Sequence, residues 1–159
     1  KMDNLKDEKN EDILGLFQES YDPIGLHVDA GFNSEEIIYK QTLIPLTSKG
    51  GTVIFKNKFY GNSTNFTINE EELKKKDLKY GQNIRSAEHL DMYENKPFSK
   101  SDYEKYLKHE KYENLSGLEI DIVYEWELGS ILIFDRTRLH CASSLIDGKK
   151  IGLTTFTKK

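Results

Sequence analysis

The amino-acid sequence predicts a mainly β fold of the sandwich or jelly-roll kind with a helical insertion, and three observations carry that expectation. Short apolar runs rich in β-branched and aromatic residues recur along the chain, glycine-containing corners separate them, and one polar, charged stretch in the middle interrupts the rhythm. At 159 residues the chain fits a single domain. A domain of that size buries roughly two thirds of its unfolded surface without crosslinks.

The first series of candidate strands is ILGLF (13–17), IGLHV (24–28), EIIYKQTLIPL (36–46) and GTVIFKN (51–57). The second series is LEIDIVYEW (118–126), GSILIFD (129–135), LHCAS (139–143) and KIGLTTFT (150–157). The corners SKGG (48–51), ELG (127–129) and IDGKK (146–150) supply the glycine that tight turns need. Between the two series the spacing predicts two helices. NEEELKKK (69–76) has acids in its first turn and lysines in its last, the order the helix dipole favours. SDYEKYLKHE (101–110) opens with Ser101 and Glu104 as an S-x-x-E capping box and places Tyr103, Tyr106 and Leu107 on one face. We read 58–117 as an insertion into one β domain spanning 1–159, because its few apolar residues cannot form a core of their own.

Composition narrows the function classes. Twenty-three basic residues stand against 27 acidic ones, a formal net charge of -4, and both signs are scattered, so neither a nucleic acid nor a membrane is an expected partner. The single cysteine, Cys141, excludes an intrachain disulfide and points to a reducing compartment. No apolar run approaches the roughly 18 to 20 residues that span a bilayer, and KMDNLKDEKNED is too polar for a signal peptide. The expectation is a cytoplasmic protein acting on a small-molecule substrate. The glycosylation-type matches at Asn62, Asn65 and Asn114 are read as chance.

The chemistry concentrates at GLHVDAGF (25–32). In an extended chain residues two apart share a face, so His27 and Asp29 stand side by side. A third ligand follows the strand SILIFD and the turn DRTR, where His140 opens another strand-like run. A jelly roll brings distant strands together, so His140 is expected to face the first pair. Two histidines and one carboxylate on one triangular face of a metal leave cis positions open, the arrangement of non-haem Fe(II) oxygenases.

GLHVDAGF, YKQTLIPL, GGTVIFKN and GSILIFDRTRLHCASS followed by KKIGLTTFT together resemble the Fe(II)- and 2-oxoglutarate-dependent dioxygenases, closest to the phytanoyl-CoA-hydroxylase-like and related bacterial branches. The resemblance covers about 21–157 apart from the insertion. It implies a cupin-like double-stranded β-helix and a dioxygenase using Fe(II), 2-oxoglutarate and O2. His27, Asp29 and His140 would be both the metal ligands and the catalytic centre, and the reaction would be a hydroxylation that releases succinate and CO2. The family places an arginine about ten residues after the distal histidine to hold the far carboxylate of 2-oxoglutarate; here Lys149 and Lys150 stand there. A lysine offers a point charge where an arginine offers a bidentate fork. Lys150 is the expected anchor, with Thr154 on the same face as a hydroxyl donor, and Lys40 is the alternative. Substrate contacts are expected from the insertion and from Phe32, Asn33 and Tyr39.

Other assignments compete with this one. His89 and Asp91 form a second H-x-D, about 50 residues before His140, but polar, turn-rich flanks give it no strand. His109 reads as a surface residue of a charged helix, and Cys141 as a small buried hydrophobe pointing away from the metal. Val123, Tyr124 and Trp126 read as sheet core, and Arg136 and Arg138 as an Asp135 ion pair or a solvated turn. Two alternatives to a dioxygenase stay open: a non-catalytic jelly-roll binding module, and a cupin-like metalloenzyme that does not use 2-oxoglutarate. The chain begins close to the first ligand strand, which fits a minimal enzyme, a fragment, or a fold completed by a homodimer.

Overall fold

The computed structural model of the protein describes residues 15–29, 38–59, 96–145 and 148–158. The expected helix at 69–76, the second H-x-D at His89 and Asp91, and Phe32 and Asn33 lie outside them, as does the side chain of Tyr39. The fold is mainly β: β1 (Gly15–Ser20), β2 (Ile38–Pro45), β3 (Gly51–Lys58), α1 (Lys100–Tyr106), a 3₁₀ turn (Tyr112–Leu115), β4 (Ile120–Glu125), β5 (Leu132–Asp135), β6 (Arg138–Ala142) and β7 (Lys150–Lys158). The strands form two sheets, one ordered β1-β7-β2-β5 and the other β4-β3-β6, with antiparallel neighbours throughout.

The expected strand at 24–28 is reduced to an isolated bridge between His27 and His140. His27 and His140 exchange both backbone hydrogen bonds, at 2.9 and 3.0 Å, and Ile24 accepts from Ala142 at 2.9 Å, so the segment lies along the free edge of β6. Its outward-facing Leu26 N–H is taken by the Glu110 carboxylate instead of a further strand, which ends the sheet there. The corners form where glycine allowed them: Gly50 and Gly129 adopt φ of 86° and 85°, a region that side chains disfavour.

The second helix is shorter than its pattern predicts and starts one residue earlier. Ser99, not Ser101, caps it, its Oγ accepting the Asp102 N–H at 3.3 Å. Glu104 instead pairs with Lys108 one turn on. The helix stops at Tyr106 because Leu107 turns into the core and the Lys108 N–H leaves for the Ser144 hydroxyl at 2.9 Å. Removing the cap should be visible: Ser99→Ala is expected to cost about 1 kcal/mol, read as a shifted denaturant midpoint with an unchanged slope.

The described end of the insertion is not a solvated flap. Phe98, Leu107, Leu115 and Leu118 pack into one buried cluster with Leu26, Val28, Val53, Phe55 and Leu139. That cluster lies on one face of β4-β3-β6. His140 takes the other face, with its ring 4.9 Å from Phe134 of β5 in an edge-on contact. Among the described residues no helix is long and apolar enough to cross a membrane.

Candidate metal centre

The backbone bridge sets the site. Because His27 and His140 oppose each other across an antiparallel pair, their side chains leave the same face, with ring centroids 4.2 Å apart. Asp29, two residues on, joins them: its Oδ1 lies 3.3 Å from His27 Nε2 and its Oδ2 lies 3.5 Å from His140 Nε2. Sequence spacing predicted this meeting of three residues separated by up to 113 positions (140 − 27 = 113).

Each imidazole is oriented by its other nitrogen. His27 Nδ1 lies 2.7 Å from the Gly25 carbonyl and His140 Nδ1 lies 3.1 Å from the Arg138 carbonyl. A carbonyl can only accept, so Nδ1 carries the proton in both rings and each Nε2 lone pair is aimed at the carboxylate. With both rings neutral three acceptors point at one spot, a place that a cation fills or, without one, a proton on His27 Nε2 facing the Asp29 carboxylate. Ligand atoms about 2.1 Å from a metal at right angles stand about 3.0 Å apart; here one ligand atom from each of the three residues lies within 4.8 Å of the other two, so the group closes inward to hold a divalent ion. Tautomer-fixing carbonyls of this kind are what metal-bound histidines use.

The charges are mutually dependent. Burial alone would raise Asp29, but His140 and His27 outweigh it and hold the carboxyl well below the usual carboxylate range. Burial alone would lower His27, but the Asp29 carboxylate overcomes it and the imidazole sits above its ordinary value. His140 sits below its ordinary value, through burial first and His27 second.

Gln41 of β2 is the residue sequence reasoning missed. It is 1% exposed, donates from Nε2 to Asp29 Oδ2 at 2.8 Å, and lies 3.4 Å from His140 Nε2, while its Oε1 makes no hydrogen bond among the described residues. The available signal was a polar residue at the inward-facing parity of an apolar strand, shared with Leu43.

A cavity of about 340 Å³ opens between the two sheets, lined by His27, Asp29 and His140 together with Gln41, Lys150 and Thr154. Lys150 is 5% exposed; its Nζ donates to the Gly51 carbonyl at 3.1 Å and stands 4.0 Å from the centre of the Trp126 ring. Burial pushes its pKa down to about 8. Among the described residues no carboxylate pairs with it, whereas Lys40 pairs with Asp135 and does not line the cavity. Trp126, expected in the sheet core, is a cavity wall held by its Nε1 donating to Thr52 Oγ1 at 2.9 Å. Arg138 pairs with Asp121, not Asp135. His109, expected on the surface, has a side chain only 13% exposed.

Gly152 explains how the indole fits over Lys150: a β-carbon there would stand 2.6 Å from Trp126 Cη2. Gly152→Ala is expected to displace the ring and cost about 1 to 3 kcal/mol. Trp126 is the chain's single tryptophan, so a shifted emission spectrum with a retained fold is the readout.

No family model matches the chain, and no curated protein or solved structure matches it. The functional reading therefore rests on the geometry and chemistry of these residues.

Proposed function

We propose that this protein is an Fe(II)- and 2-oxoglutarate-dependent dioxygenase that hydroxylates a small molecule. The observation that carries the reading is the convergence of His27, Asp29 and His140 in a cavity that also holds the buried cation of Lys150. An open metal face and a buried positive charge are two fixed points suited to a ligand that chelates at one end and carries a carboxylate at the other. The strand order supports a double-stranded β-helix: β1, β2, β5 and β7 form one sheet, while β3, β4, β6 and the edge segment at His27 form the other. The chain alternates between them except where β4 follows β3 within one sheet, across the insertion.

Bound Fe(II) would supply the redox chemistry that converts 2-oxoglutarate and O2 to succinate and CO2 while oxygen is inserted into the substrate. The chain's residues do the positioning. His27, Asp29 and His140 hold one face of the ion, and Gln41 fixes Asp29 from β2. Lys150 receives the far carboxylate, with the Thr154 hydroxyl as a further donor from the same face of β7. Trp126 and Phe134 are apolar walls that keep water away from the cation and from His140.

The test uses the single tryptophan as reporter. Under anaerobic conditions, 2-oxoglutarate is expected to change Trp126 emission in the Fe(II)-loaded protein, and succinate, which lacks the chelating 2-oxo group, is expected to bind more than about tenfold more weakly. Equal binding of the two diacids, or equal binding of 2-oxoglutarate with and without metal, would sink the proposal.

A further inference from the structure

A second set of donors lies behind the segment that carries His27. Cys141 follows His140 in β6, so strand alternation sends its side chain to the opposite face, into the cluster of Leu26, Val28 and Leu139. His109 and Glu110 reach the same place from the turn after α1. One donor atom from each of His109, Glu110 and Cys141 lies within 4.8 Å of the other two.

The imidazole of His109 is the informative group. Both of its ring nitrogens are buried and neither reaches full hydrogen-bond geometry among the described residues, although the Ile24 carbonyl is near enough to act on the ring and the Glu110 Oε1 stands 3.8 Å from Nε2. A buried polar group left in that state is destabilising. Burial lowers its pKa to about 4, against the pull of the Ile24 carbonyl and with help from Lys150, so the ring is neutral with a lone pair to give. Glu110 is 7% exposed, and its Oε1 accepts from the Leu26 N–H. Cys141 is 1% exposed.

We infer that His109, Glu110 and Cys141 form a second metal site, on the far side of β6 from the first, that takes a thiophilic divalent ion of the zinc class. Sulfur, imidazole and carboxylate are the ligand types of zinc sites, whereas magnesium and calcium prefer all-oxygen shells. A thiolate and a carboxylate together balance the two positive charges of the ion; burial, then Glu110, push the Cys141 thiol well up, so the thiolate forms with the metal and not before it. On binding, the Cys141 S–H bond breaks, the sulfur–metal bond forms and the proton goes to solvent. Three protein ligands leave the fourth tetrahedral position to water. The ion would tie the end of the insertion to β6 and so brace the Leu26–His27 backbone that Glu110 already holds. The site does not depend on the dioxygenase reading.

Cobalt(II) is the probe, because a thiolate bound to it gives an intense near-ultraviolet charge-transfer band and Cys141 is the only cysteine in the chain. The full chain carrying His27→Ala, which removes the first site, is titrated after chelator treatment. The expected result is the thiolate band saturating at one equivalent per chain, with proton release, no band in Cys141→Ser, and an affinity lowered more than about tenfold in His109→Ala. Wild-type protein, which needs no substitution to fold, should bind two equivalents and show the same band. Absence of the band in wild type, a band saturating at half an equivalent from two chains sharing a metal, or an affinity unchanged by His109→Ala would each overturn the inference.

Discussion

Replacing His140 by alanine is expected to lower the affinity of the first site for Fe(II) by at least about a hundredfold, more than the loss of an outer-sphere partner of a metal-bound histidine costs. The fold should survive. The bridge that aligns His27 with β6 uses the backbone of residue 140, not its ring, and alanine keeps both hydrogen bonds. Anaerobic Fe(II) titration and thermal melting together check this: weak binding with a cooperative transition within about 2 kcal/mol of wild type. Wild-type affinity in His140→Ala would remove the histidine from the site.

Lys150→Met should separate stability from ligand binding. A cation that is 5% exposed and faces a carbonyl and an indole ring is poorly compensated in the absence of an anion. Methionine keeps the length without the charge, so the ligand-free protein is expected to gain about 1 to 3 kcal/mol at pH 7. The same change should weaken 2-oxoglutarate binding at least about 30-fold, because a buried carboxylate would lose its partner. The pH dependence follows from the lowered pKa of about 8. Below that value folded and unfolded chains both hold the proton and the full cost of burying the charge is present. Between about 8 and the unfolded value of about 10.4 the unfolded chain binds more protons, so wild-type stability rises with pH there and Lys150→Met flattens the rise. Carboxylate binding in wild type should fall as pH climbs through the same region. A destabilised Lys150→Met protein that binds 2-oxoglutarate normally would contradict both expectations.

Much of the site was readable before the fold was. His27 and Asp29 announce themselves by a period of two in an apolar stretch, and His140 by its place after a Gly-Ser-led strand. Lys150 and Thr154 share parity on β7, and both line the cavity. What was not readable depended on tertiary contacts that leave no local pattern. The segment at 24–28 looks like a full strand, yet Glu110, 84 positions from Leu26, takes the N–H that a further strand would need. His109 sits in a run of charged residues, and helical periodicity extended through it, but the helix ends at Tyr106 and the turn carries His109 inward. Lys150 was the expected anchor and Lys40 the alternative; pairing with Asp135 and a place outside the cavity lining set Lys40 apart. Trp126 reads as core by composition and becomes a wall because Gly152 leaves space for its ring.

The most direct test of the central claim is an anaerobic titration of metal-free protein with Fe(II) and then 2-oxoglutarate, followed by the weak visible charge-transfer band that chelation of the 2-oxo acid to Fe(II) produces. Wild type, His27→Ala and His89→Ala are compared under one set of conditions. The account predicts the band in wild type and in His89→Ala and its loss in His27→Ala. A folded wild-type protein without the band, or a band that survives in His27→Ala and disappears in His89→Ala, would contradict it.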